Sequence, residues 1–178
     1  MKYNWPKKET TWIDGRTLFV SVPFTWKLPD VRELLRQRSF FWDNAIVGGP
    51  AVKLMPEYLA DIPNVIVDTG NIDGVLQRIN PHATRTTTGC PNKCRFCAVP
   101  VVEGKFIELD DWPDLPIICD NNLMYSSISH FDKVCDRLEK HKWSDFNQGL
   151  DARLLNEYHA ERLARLPNSI IRLASRSA

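Results

Sequence analysis

Three cysteines fall inside eight residues, Cys90-Pro91-Asn92-Lys93-Cys94-Arg95-Phe96-Cys97, at a C-x3-C-x2-C spacing with an aromatic directly before the third. This spacing constrains the chain more than any of its hydrophobic patterns, because three thiolates on one short loop can be drawn to a single point. Thiolates hold iron–sulfur clusters, and a [4Fe–4S] cluster ordinarily takes four of them. Three local ligands leave one iron open to something other than protein. Two plainer readings stand beside this one. With His82, eight residues upstream, the cysteines would make a Cys3His zinc site, although structural zinc sites more often use two separated pairs. A disulfide framework fits less well, since five cysteines are an odd number and the N-terminal residues lack the apolar core of a secretory leader.

Composition narrows the setting. The 178 residues suit one domain or one domain with an appendage, and 43% hydrophobic with 25% charged residues predicts a packed core. A net charge of +1 gives no electrostatic case for nucleic acid. No apolar run approaches the roughly 20 residues of a membrane span. A soluble, reducing, cytoplasmic location is expected.

The N-terminal part, residues 1–80, reads as a small parallel α/β segment. Its first ten residues read as a loose lead-in. Strands are expected at residues 17–22, 45–47 and 65–67, where β-branched and apolar residues run between Pro and Gly signals. A helix opens at Pro29, with Val31, Leu34 and Leu35 on one face, and a short helix runs from Pro56 to about Ala60. Gly48-Gly49-Pro50 closes the middle strand as a tight turn. Asn80-Pro81 marks the boundary, because a residue before proline is pushed out of helix.

From residue 81 onward, strand and helix signals alternate. A threonine-rich strand, Thr84 to Thr88, leads into the cysteine loop. Apolar stretches at 98–102 and 106–109 flank a turn at Glu103-Gly104. Further strands are expected at 115–119, 144–147 and 169–173. Ile128, Phe131, Cys135 and Leu138 mark the buried face of one helix. Asn156 caps another, in which Ala160, Leu163 and Ala164 face inward. Such alternation predicts a parallel sheet with helices on one side. In such sheets the residues just past each strand carry the chemistry. These are the three cysteines, then Asp120-Asn121-Asn122, then Asn147 to Arg153, and last Ser175 and Arg176. Asp120 or Asn122 could accept from an ammonium group or simply cap a polar turn. Cys119 and Cys135 read as small buried hydrophobes, and Lys93 and Arg95 as solvated surface.

The cysteine spacing with Phe96 resembles the signature of the radical S-adenosylmethionine (radical SAM) superfamily. The run from Phe146 through Asn147, Gln148, Gly149, Leu150, Asp151 and Ala152 to Arg153 is similar to one found in a subgroup of it. The resemblance covers about residues 83–178. It implies a truncated radical SAM core at 81–178, a partial (β/α) barrel of about the first four β/α units. It implies a [4Fe–4S] cluster on Cys90, Cys94 and Cys97, with S-adenosylmethionine on the open iron. It further implies contacts to that cofactor from Phe96, Asp120, Asn122, Gln148, Asp151 and Arg153. Reductive cleavage would give a 5′-deoxyadenosyl radical that abstracts hydrogen from a substrate the sequence does not name. The partners so implied are an electron donor of flavodoxin or ferredoxin type and a chain completing the barrel. The sequence departs from the family's Gly-Gly-Glu at Asp120-Asn121-Asn122. Residues 1–80 are faintly similar to the second half of a cobalamin-binding-like domain, but lack its cobalt-ligating D-x-H-x-x-G motif. A non-catalytic module that keeps a cluster or zinc is the alternative. A zinc protein binding nucleic acid would need a basic patch that the balanced charge does not supply.

Overall fold

Asp14-Gly15 begins a turn that decides the first third of the fold. In the computed structural model, which describes residues 5, 7–37, 41–70 and 74–174, Gly15 takes φ +58° and joins β1 (Thr10–Asp14) to β2 (Thr17–Ser21). The strands pair antiparallel from Asp14 opposite Thr17 to Thr10 opposite Ser21. Residues 10–14 therefore form a strand where the sequence pointed to no element. Asp-Gly between alternating residues is a hairpin signal, and Trp12 stacks on its partner Phe19 at 5.1 Å.

The chain divides into two compact units, Met1–Asn80 and Pro81–Ala178. Asn80 is extended, at φ −148° and ψ 109°, as a residue before proline should be. In the first unit β2 pairs in parallel with β3 (Asn44–Gly48), and β3 with β4 (Val65–Val67). α1 (Leu28–Arg36) buries Leu28, Val31 and Leu35 against Leu18, Val20, Ala45 and Val47. The next helix is α2 (Pro50–Leu54), earlier than expected, and residues 56–58 make only a 3-10 turn. Pro50 sits in its first turn, and Gly49 before it turns at φ +98°. A Cβ on Gly49 would stand 2.8 Å from the Val22 backbone, so the turn admits glycine alone. α3 (Val75–Ile79) closes this unit.

The second unit is α/β with parallel pairing. Its elements are β5 (Ala83–Thr84), β6 (Thr87–Thr88), α4 (Val99–Val102), β7 (Ile107–Glu108) and β8 (Ile117–Ile118). Then come α5 (Ile128–Leu138), β9 (Ser144–Phe146), β10 (Leu150–Asp151), α6 (Glu157–Ala164), β11 (Ser169–Ile170) and β12 (Leu173–Ala174). Strands β5, β8, β9 and β11 lie side by side in chain order, each pair parallel. Parallel neighbours in chain order need crossovers of one hand, so α5 and α6 belong to the same side of this sheet. The threonine-rich stretch is not one strand. β5 joins the parallel sheet, and β6 leaves it to pair antiparallel with β7. The apolar run at 98–102 is helical.

Ser127 caps α5 by accepting from His130 N–H at 3.2 Å, and Asn156 caps α6 by accepting from His159 N–H at 3.0 Å. Phe131, Cys135 and Leu138 are buried as expected, joined by Val134, while Ile128 is exposed. The buried face of α6 differs from the expected one. Ala160 and Ala164 are exposed, and His159, Arg162, Leu163 and Leu166 turn inward. His159 meets the Phe131 ring edge-on, and Arg162 reaches the Asp132, Asp136 and Glu139 carboxylates of α5 and its end. Burial of Arg162 disfavours its charge, but the hydrogen bonds to Asp132 and Asp136 outweigh this and raise its pKa. Among the described residues, no helix is long and apolar enough to cross a membrane.

Candidate functional site around the cysteine loop

The segments that follow β6, β8 and β9 converge. Gly89 leads into the cysteine loop at φ +71°, and a Cβ there would lie 2.3 Å from the Lys105 carbonyl oxygen. Cys90, Cys94 and Cys97 are half-buried free thiols. Cys97 N–H donates to the Cys94 carbonyl at 3.0 Å, which tightens the second half of the loop. Among the described residues, no three His, Cys, Asp or Glu side chains stand as a ready-made metal-binding group. The loop would have to draw its thiols together on binding, as metal sites that form with their metal do. His82 is exposed and lies beside the Trp143 ring at 6.3 Å.

From the β8 side come Cys119, Asp120, Asn121 and Asn122. The Asp120 carboxylate accepts from Thr86 N–H at 2.7 Å and from the Thr86 hydroxyl, which His130 Nε2 also meets at 3.2 Å. Burial raises the Asp120 pKa, and the Thr86 hydrogen bonds pull against this. Asp120 thus fastens the segment that enters the cysteine loop. Asn122 does something else. Its Nδ2 donates towards Cys90 Sγ at 3.6 Å, and its buried Oδ1 has no protein partner among the described residues. Buried amide oxygens are nearly always hydrogen-bonded, and Asn122, 2% exposed, keeps this acceptor unpaired, as Thr84 keeps its hydroxyl and His159 its Nδ1. Asp120 and Asn122 thus have different partners.

From the β9 side, Gly149 turns at φ +85° and β10 brings Asp151 beside the loop. Asn92 Nδ2 donates to Asp151 Oδ2 at 3.2 Å, and Arg153 Nε donates to Asp151 Oδ1 at 2.8 Å. The Arg153 hydrogen bond holds the Asp151 carboxyl down at about 2. Arg153 is close enough to Cys94 and Cys90 that their charge would raise its own pKa further, after the larger effect of Asp151. Its Nη1 is not engaged by Asp151.

Two of the expected site residues, Gln148 and Phe96, are exposed, Phe96 by 88%. Ser175 and Arg176 lie outside the described residues. Lys93 and Arg95 are exposed. Cys119 and Cys135 are buried, and burial pushes both thiols up to about 12, which suits packing rather than ligation.

The sequence reading passed over Thr86, Asn92 and Glu103. Glu103 is a lone acid after the apolar α4, and it accepts from Gly89 N–H at 2.8 Å and Asn121 Nδ2 at 2.6 Å. A single carboxylate in an apolar stretch was the available signal. Comparison of the chain with protein-family models, curated proteins and solved structures finds no match.

Proposed function

We propose that residues 81–178 are the first four β/α units of a radical SAM barrel, and that the chain is a radical SAM enzyme or part of one. One observation carries this reading. The three segments singled out by their sequence come to one place, with Cys90 against Asn122, and Asn92 against Asp151, which Arg153 also holds. Strands β5, β8, β9 and β11, parallel and in chain order, support it further.

The donor set suits the group. Cys90, Cys94 and Cys97 would hold a [4Fe–4S] cluster through soft thiolate sulfurs and leave one iron open. When bound, that cluster would supply the electron that cleaves S-adenosylmethionine. The chain's own residues do the rest. Asn122 Oδ1 offers a buried acceptor to an ammonium group. Arg153 offers Nη1 to a carboxylate, oriented by Asp151, which stays ionised because Arg153 depresses its pKa to about 2. The hydrogen bond from Asn122 to Cys90 would stabilise charge on that sulfur. The reading also requires a flavodoxin- or ferredoxin-like electron donor. Among the described residues β11 lies at the edge of its sheet, where a chain that completes the barrel would pair.

Anaerobic reconstitution with iron and sulfide tests the ligand set. Wild-type protein should take up about four iron and four sulfide per chain. Replacing Cys90, Cys94 and Cys97 with alanine should abolish uptake, and replacing Cys119 and Cys135 should not. Zinc bound in place of iron would overturn the reading.

A further inference from the structure

Glu103 accepts from three different residues beside the cysteine loop. Its side chain is 9% exposed. It receives Gly89 N–H at 2.8 Å, Asn121 Nδ2 at 2.6 Å and the Arg85 guanidinium. The first two donors flank Cys90 in different ways. Gly89 directly precedes it in the chain. Asn121 directly precedes Asn122, which donates towards Cys90 Sγ at 3.6 Å. One carboxylate therefore holds the backbone N–H next to the thiol and the side chain next to its hydrogen-bond donor. The same turn acts a second time on Gly89. Its φ is +71°, and its Cβ position would fall 2.3 Å from the oxygen of Lys105, two residues beyond Glu103. Residues 103–105 thus hold Gly89 by a side-chain acceptor and by close backbone contact.

We propose that Glu103 is the positioning residue of this site, which sets where Cys90 Sγ stands and keeps Asn122 on it. The proposal rests on reading Cys90 as a cluster ligand. A carboxylate has acceptor capacity for all three donors and needs no donor of its own. Gly89 and Asn121 both donate to Oε2, and Arg85 to Oε1, so Glu103→Met, which removes both oxygens, frees Gly89 and Asn121. Arg85→Met is the control. It removes the ion pair and leaves the carboxylate on Gly89 and Asn121.

Two readouts separate this proposal from the function it rests on. In cluster-free protein carrying Cys94→Ser and Cys97→Ser, the rate at which iodoacetamide alkylates Cys90 is followed by peptide mass spectrometry. Glu103→Met should raise that rate about tenfold, the equivalent of one lost hydrogen bond to a charged acceptor. Arg85→Met should leave it within about twofold. In reconstituted protein with all three cysteines, Glu103→Met should change the electron paramagnetic resonance line shape of the reduced cluster, and Arg85→Met should not. If wild-type protein takes up no cluster, the proposed function fails, and the alkylation rates still decide the role of Glu103. Unchanged alkylation in Glu103→Met, or equal acceleration by both variants, would overturn the proposal. Should Glu103→Met fail to fold, Asn121→Ala takes its place with an expected rise of about threefold, and no rise would count equally against it.

Discussion

The two units use the same strand-and-helix alternation to different ends. In residues 1–80 the paired strands run up to five residues, and the core is continuous and apolar, from Leu18 and Val20 through Leu28 and Val31 to Leu59 and Ile62. Among its described residues, Ser21 and Asn80 are the only buried polar side chains. In residues 81–178 most strands are two residues long, and Thr84, Thr86, Asp120, Asn122, His130, Asp145 and Asp151 are all buried. Short ladders make few backbone hydrogen bonds, so side-chain bonds such as Thr86 to Asp120 and Gly89 to Glu103 fix the loops instead. Burying polar groups is costly unless each finds a partner. A unit that buries so many at the ends of its strands is shaped by a site as well as by a core.

Breaking the cores should give the largest effects and show how separate the units are. Phe131→Ala in the second unit should cost about 4 kcal/mol, and Val47→Ala in the first about 2 kcal/mol. Urea unfolding followed by hydrogen exchange should show each loss confined to its own unit. A loss of protection shared by both would contradict the division. The turn glycines come next. Gly89→Ala and Gly49→Ala each force a Cβ onto backbone atoms at positive φ and should cost about 3 kcal/mol. Gly15→Ala, with open space around its Cβ position, should cost about 1 kcal/mol. Thermal midpoints that ranked Gly15 with the other two would show that the close contacts do not matter.

The smallest effect is a pH dependence inside the second unit. Arg153 lowers the Asp151 carboxyl from its ordinary 3.8 to about 2. The unfolded chain therefore takes up the proton first, and the stabilisation is full above about pH 4 and lost as pH falls towards 2. Arg153 is half exposed, so water screens the pair and the contribution is small. Asp151→Asn should be slightly less stable than wild type at about pH 6, with the gap closing in acid. Asp120 works in the opposite sense. Burial raises its pKa, so its contribution is greatest in acid and is lost as pH rises through the raised value. Chemical unfolding across pH should show the two carboxylates pulling opposite ways.

How much of this was written in the sequence depends on how local the cause is. Strands at 17–21, 44–48 and 65–67 and the Asn156 cap follow from neighbouring residues; the Ser127 cap is as local but was not among the expected elements. The Asp14-Gly15 hairpin was equally local, hidden by the polar composition around it. The inward face of α6 was not legible, because Arg162 reads as a surface residue until the three carboxylates of α5 and its end are brought to it. At the site, the cysteines and the Phe146–Arg153 run stand out in sequence. The partners of Asp120 and Asn122 do not, since Thr86 and Cys90 lie more than thirty residues upstream.

The most direct test of the central claim is electron paramagnetic resonance of the anaerobically reconstituted, dithionite-reduced protein, with and without S-adenosylmethionine. The account predicts a [4Fe–4S] signal that changes when S-adenosylmethionine is added, because its amino and carboxylate groups would occupy the open iron. A signal indifferent to S-adenosylmethionine, or no cluster signal at all, would contradict it.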